Sequence, residues 1–279
     1  LGLSAELGEM SVFSTEAPVW QHRTPFSRLM LWVGWLAFVA LFVWCWERMT
    51  QRTIWAFVWD APTAAADIAN RAFPPRWSYM ERLWAPLWDT INIATLGTLL
   101  GIVLAVPLAF LAAANTTPSR LVLRPVALFA IVASRSINSL IWALLLVSIL
   151  GPGILAGVLA IALRSIGFIG KLLYEAIEET DLNQVEAITA TGASQGQILS
   201  HAIVPQMLPT FYGISVFRWD INIRESAILG LVGAGGIGAQ LQSSLNVLAW
   251  PQVSLIMLVI LATVVVSEWV SAKVRHAII

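Results

Sequence analysis

The sequence predicts an all-α membrane protein with six transmembrane helices. Three observations predict it. Charged residues are only 11% of the 279-residue chain, and hydrophobic ones are 58%. A soluble domain carries about 25% charge, so lipid must solvate much of this surface. Six stretches are apolar over about the 20 residues that a helix needs to cross a bilayer. Residues 186–205, between the fourth and fifth stretches, are polar and read as a short helix, a glycine joint and a second short helix. A polar hairpin at the edge of a membrane protein needs a partner outside the lipid.

Residues 1–28 carry Glu6, Glu9 and Glu16 and no apolar core. They read as a solvated cytoplasmic tail rather than a cleaved signal peptide. The first span, 29–46, is short but free of charge. Residues 47–89 mix Trp, Pro and both charge signs, and read as an extracytoplasmic loop with helices lying at the interface. Many of the 14 tryptophans crowd this first third, from Trp20 to Trp88, where interfaces should fall. The second span, 90–113, contains Pro107, which should kink it. The third, 121–150, is interrupted by the polar run around Arg135, Ser136 and Asn138, and the Gly151-Pro152-Gly153 turn ends it. The fourth runs over 154–176, the fifth over 206–229 and the sixth over 251–271, leaving 273–279 as a second cytoplasmic tail.

Basic residues fall on both sides of this arrangement. Arg48, Arg52, Arg71, Arg76 and Arg82 lie in the first long loop; Arg23, Arg28, Arg120, Arg124, Lys273 and Arg275 share a side with the polar hairpin. Longer loops follow the positive-inside bias poorly, so the hairpin side is placed in the cytoplasm. The formal net charge of zero gives no case for nucleic acid. The single cysteine, Cys45, leaves no internal disulfide and reads as a small packing residue.

Within the hairpin, Ala187 leaves room for another surface to approach. Gly192 permits a left-handed backbone that stops one helix and lets the next leave at an angle. Pro205 sits poorly inside a helix but starts one well, so it marks entry into the fifth span. Glu175, Glu178, Glu179, Asp181 and Glu186 crowd this stretch, and some of these acids could serve the N-terminus of the helix that follows. The product is a stiff knob at the membrane surface.

The spacing Glu186-Ala187, Gly192, Pro205 resembles the cytoplasmic loop of bacterial ABC-importer permeases, with Ile188, Ala202 and Val204 departing from its pattern. Further segments resemble the phosphonate-importer permease family: residues 73–77, 90–98 and 164–171, and Asn222-Ile223-Arg224-Glu225 followed by the glycine-rich run 230–238. The match covers roughly 70–272, and the permease domain of the type I importer fold is placed at 90–272. The resemblance implies a homodimer in the bacterial inner membrane, two copies of a cytoplasmic ATPase that bind ATP and Mg, and an extracytoplasmic phosphonate-binding protein. It implies no cofactor in this chain. Glu186, Ala187, Gly192, Ala193 and Pro205 would couple to the ATPase. Phosphite and hypophosphite permeases are similar, and methionine-importer permeases share the loop.

Arg135, Arg218 and Arg224 fall within or at the end of spans, where an ionised arginine costs about 2.5–3.5 kcal/mol on insertion scales. Such residues face a cavity or a partner. At about 100° per residue, Arg218, Asn222 and Glu225 share one face of the fifth span. Asp220 and Arg224 are an i,i+4 pair on roughly the opposite side. Either the first stripe lines the translocation path and the second is a structural ion pair, or both tie spans together. Arg218 and Asn222 offer donors that suit an oxyanion, while Glu225 keeps the site from being permanently cationic. Arg135, Ser136 and Asn138 are path candidates or a structural break.

Three strings mimic enzyme motifs. Residues 233–238 match G-x-G-x-x-G, but no βαβ unit surrounds them; a tight turn or close packing is the expectation. Residues 192–196 match G-x-S-x-G without a strand-to-helix elbow, so Ser194 is expected to cap the second short helix. Residues 167–171 lack the spacing of a phosphate loop. No Cys/His cluster points to a metal. The competing classes are a methionine-type permease, a passive anion channel and a membrane serine hydrolase using Ser194 and His201.

Overall fold

The computed structural model describes residues 25–278, with side chains for 26–277. Most of the expected tail at 1–28, with Trp20, His22 and Arg23, lies outside the described residues. Within them every regular element is helical. The chain divides into two compact units after Ala64.

The first unit holds α1 (Pro25–Arg52) and the beginning of α2 (Trp55–Ala72). Helix α1 is longer than the apolar run 29–46 because its polar end is also a good helix: Gln51 Nε2 donates to Glu47 Oε1 (3.2 Å), and Arg52 sits in the last turn where cations suit the helix dipole. Its apolar side chains point outward all round, Trp32, Phe38 and Phe42 included. Cys45 is exposed as well, so it is not the packing residue expected.

The second unit is a helical bundle: α3 (Trp84–Ala112), α4 (Leu123–Ser136), α5 (Ser139–Leu150), α6 (Ile154–Glu178), α7 (Leu182–Ala190), α8 (Gln195–Ile198), α9 (Val204–Leu229), α10 (Ile237–Asn246) and α11 (Trp250–Ile278). Helices α3 and α6 run against each other at its centre. Gly97 and Gly101, one turn apart, make this possible. A Cβ on Gly97 would stand 2.7 Å from Ile161 Cγ2, and one on Gly101 2.6 Å from Ser165 Cβ. Close backbone approach through small residues is how helices gain contact where lipid removes the hydrophobic drive. Helix α9 packs on both α3 and α6, α4 and α5 flank α6, and α11 covers α9.

Among the described residues, four helices are long and apolar enough to cross a membrane: α1, α3, α6 and α11. The expected third span is the pair α4–α5, bent by 89° at the polar run. Asn138 caps α5 there, its Oδ1 accepting from the Leu140 amide at 3.0 Å. The expected fifth span is α9. It is 26 residues long, but four ionisable residues, Arg218, Asp220, Arg224 and Glu225, keep it too polar to qualify by composition. Helix α3 continues through Pro107.

At the α4–α6 crossing a side chain enters a helical rung. Ser134 Oγ accepts from the Gly167 amide (2.9 Å) and donates to the Leu163 carbonyl, the two ends of one i→i−4 rung of α6. Gly167 is what lets α4 so close, because a Cβ there would lie 2.6 Å from both Arg135 N and Ile131 O.

The glycine-rich run does make tight turns, with φ of +90°, +84° and +75° at Gly233, Gly235 and Gly236. The run leads into α10, a helix between the fifth and sixth expected spans.

Candidate functional site

Two polar constructions stand out: the hairpin between α6 and α9, and a knot of side chains inside the bundle.

The hairpin is α7, a joint at Gly192 (φ +79°), α8, and a π-helical turn over Leu199–Ile203 that runs into α9. Asp181 caps α7, its Oδ1 accepting from the Asn183 amide at 2.9 Å. Ser194 heads α8, and its amide donates to Gln197 Oε1 at 2.8 Å in a capping box. Pro205 falls in the first turn of α9, and because the π-helical turn runs into that helix without a break, its missing N–H omits one rung of a continuous helical backbone. The Asp181 amide also donates to Gln206 Oε1 (2.9 Å), closing the hairpin at its base.

The underside of the hairpin is apolar. Ile198, Ala202 and Ile203 are buried with Ala109, Leu173, Ile177 and Met207, so the hairpin rests on the ends of α3, α6 and α9. Ile188, one of the departures from the loop pattern, packs onto this cluster beside Val185; that contact accounts for a larger residue than alanine. The upper side is bare: Glu186, Ala187, Gly192 and Pro205 are exposed, while Ala193 is half-buried. A groove of about 390 Å³ lined by Asn115, Leu182, Val185 and Ile198 opens beside it. The serine-hydrolase pair does not form, since His201 Nδ1 lies 2.7 Å from Ser200 Oγ and 3.0 Å from Gln197 O, and Ser194 is engaged with Gln197.

The knot gathers α3, α6 and α9. Arg218 is 2% exposed and Asn222 0%. Arg218 Nε donates to Ser165 Oγ (3.0 Å), and Asn222 Nδ2 donates to the same oxygen (3.1 Å) and to Thr98 Oγ1 (2.7 Å). The Arg218 guanidinium lies 5.2 Å from the Phe168 ring centre and its Nη2 3.4 Å from Glu225 Oε2. Glu225 Oε1 in turn lies 3.4 Å from Arg164 Nε, and Arg164 Nη1 donates to Ile137 O (3.2 Å) at the α4–α5 bend. One chain of contacts therefore joins the middle of α9 to the bend. Arg135, Ser136 and Asn138 are exposed at that bend.

The other face of α9 holds a second cluster. Arg224 Nη2 lies 2.7 Å from Asp220 Oδ2, and its Nη1 3.1 Å from Glu268 Oε1 on α11. Ser267 Oγ donates to Asp220 Oδ1 at 2.7 Å. The two stripes are legible in the sequence; their partners Thr98, Ser165, Ser267 and Glu268 are not. Thr98 and Ser165 lie in the segments 90–98 and 164–171 that carry the resemblance, and beside the glycines of the α3–α6 contact, but neither sign assigns them a partner.

Residues 82–274 match the family described as binding-protein-dependent transport system inner membrane component. The chain is 41% identical over 210 residues to the phosphite transport system permease protein of Stutzerimonas stutzeri, covering 75% of this chain and 76% of that protein. It is 41% identical over 225 residues to the phosphate-import permease protein of Mycolicibacterium smegmatis, covering 78% of this chain and 42% of that longer protein. Among solved structures, a methionine ABC transporter in an inward-facing conformation superposes with a TM-score of 0.63 over 73% of this chain and 99% of that one, at 19% identity. A likeness at that identity speaks for the fold.

Proposed function

The chain belongs to the binding-protein-dependent transport system inner membrane components, and from that premise we propose that it carries a phosphorus oxyanion across the membrane and takes its drive from a partner ATPase through the α7–α8 hairpin. It is a multi-pass inner-membrane permease subunit of an ABC importer. The observation that carries the coupling reading is the hairpin's two-sidedness. Its exposed top, Glu186, Ala187 and Gly192, is free to be gripped, and its apolar underside sits on the ends of three bundle helices. A push on the top moves α3, α6 and α9 together.

The partners in this reading are a second copy of the chain, two cytoplasmic ATPase subunits that bind ATP and Mg, and an extracytoplasmic binding protein. The path runs along the bend, where Arg135, Ser136 and Asn138 are exposed, and past Glu225. Arg218 and Asn222 stand behind that wall, buried, and hold Glu225 and Ser165 in place. Asp220 and Arg224 act as a structural pair. The phosphite and phosphate relatives support a phosphorus oxyanion as cargo; phosphonate falls in the same class.

Reconstitution with the ATPase and the binding protein tests this reading. ATP-dependent uptake of labelled phosphite, phosphate or methylphosphonate is expected, with a cysteine at Ala187 crosslinking to the ATPase. Anion conductance without the ATPase, or uptake of methionine and none of the three oxyanions, would overturn it.

A further inference from the structure

Helix α2 plays no part in the mechanism above, yet it is the most clearly two-faced helix outside the bundle core. It is 18 residues long, with no residue buried. At about 100° per residue, Asn70, Thr63, Asp67, Asp60 and Arg71 fall within an arc of about 100°. That arc is internally satisfied: Arg71 Nη2 pairs with Asp67 Oδ2 at 3.0 Å, and Thr63 Oγ1 donates to Asp60 O at 2.7 Å. The rest of the circumference is apolar and bare. Trp59 is 78% exposed and Phe57 72%, and Val58 and Ile68 are exposed beside them.

The ends of α2 fix its level. Only Thr53 and Ile54 separate it from α1, which is long and apolar enough to cross the membrane. At the other end Ala72 O accepts from Ser254 Oγ (2.6 Å), and the Arg76 amide donates to Pro251 O (2.9 Å), both at the start of the membrane-length helix α11. In the six-span arrangement the end of α1 and the start of α11 both fall on the extracytoplasmic side, so on that reading a helix of about 27 Å joining them lies along the membrane surface rather than through it. A large apolar face opposite a narrow charged one is the pattern of helices that sink part-way into the headgroup boundary, and tryptophan favours that depth.

We propose that α2 is a lipid-binding helix that lies in the bilayer interface with Val58, Ala65 and Ile68 toward the acyl chains, Trp59 at the headgroup level beside the polar arc, and Asp60, Asp67 and Arg71 toward water. Two carboxylates against one guanidinium give the polar face no basic excess, so the partner is a zwitterionic phospholipid surface held by apolar burial, not an anionic lipid held by charge. The inference rests on the reading of α1 and α11 as spans.

The test uses the full-length protein carrying Cys45→Ser, reconstituted in phosphatidylcholine vesicles. Single cysteines at Val58, Ala65 and Ile68, and at Thr63 and Asn70, carry a nitroxide label. Accessibility to oxygen, which enters hydrocarbon, is compared with that to a water-soluble nickel chelate. The expected result is a several-fold higher oxygen-to-nickel ratio at 58, 65 and 68 than at 63 and 70, with or without anionic lipid. High nickel accessibility at all five positions would place α2 in water. Low accessibility to both reagents at 58, 65 and 68 would show that a second copy or another protein covers the face. Either result overturns the proposal, as does an oxygen-rich profile at all five. Oxyanion uptake measured on the same vesicles separates a failure here from a failure of the permease reading, since the label profile does not depend on transport.

Discussion

The two faces of α9 use the same residue types in opposite ways. On one face Arg218 is 2% exposed and shares Ser165 with Asn222. On the other, Arg224 pairs with Asp220 and Glu268, and its side chain is 42% exposed. Helical angle separates the two stripes but is silent about cover. The difference lies in what packs opposite. Glycines at 97 and 101 bring α3 and α6 together so tightly that Ser165 takes Arg218 and Asn222 at once and Thr98 takes Asn222. Opposite Arg224 stands only α11, and the pair stays open at its rim.

The largest effect should come from Arg218→Ala. Removing one partner of a buried ionic network costs about 3–5 kcal/mol, so we expect poor membrane accumulation and a marked loss of thermal stability in detergent. A variant that melts like the parent would erase the contrast between the faces. Next comes Gly167→Ala. Its Cβ would meet backbone atoms of α4 at 2.6 Å, and overpacking costs about 1–3 kcal/mol; a thermal shift about half that of Arg218→Ala is expected. A smaller effect is expected from Arg224→Ala. Half-exposed pairs contribute about 0–1 kcal/mol, and a double-mutant cycle with Glu268→Ala should give a coupling in that range. A coupling well above about 1 kcal/mol would mean that both faces are buried in the assembly. The smallest stability change belongs to Ala187→Trp on the exposed top of the hairpin, within about 0.5 kcal/mol. The same variant should nonetheless lose ATP-driven uptake while keeping its melting temperature. Normal uptake would remove the hairpin from the coupling path.

The hairpin was readable in advance because its determinants are local. Gly192 must be the residue with φ +79°, Asp181 and Ser194 are good caps, and Pro205 starts a helix well. Membrane-length helices were equally visible as apolar runs, though their ends were not: Glu47–Arg52 continues α1 because polar residues can be good helix formers. The knot was half readable. The spacing of Arg218, Asn222 and Glu225 showed that they share a face, but Thr98 lies 124 residues from Asn222 and Ser165 lies 53 from Arg218. Nothing in a local window brings such partners together. Helix α10 was hidden by the glycines before it, and Ser134 gave no sign at all inside an apolar run.

Ser134 has a consequence for motion. In hydrocarbon, opening a helical rung strands an amide and a carbonyl, at several kcal/mol for each group. Between Leu163 and Gly167 a hydroxyl already reaches both. Widening that rung leaves neither group thirsty, so α6 has a built-in elbow at the level where α4 crosses it. On the coupling reading proposed above, displacing the hairpin would bend α6 at that point, and the ends of α3 and α9 that share the hairpin's apolar underside would move with it.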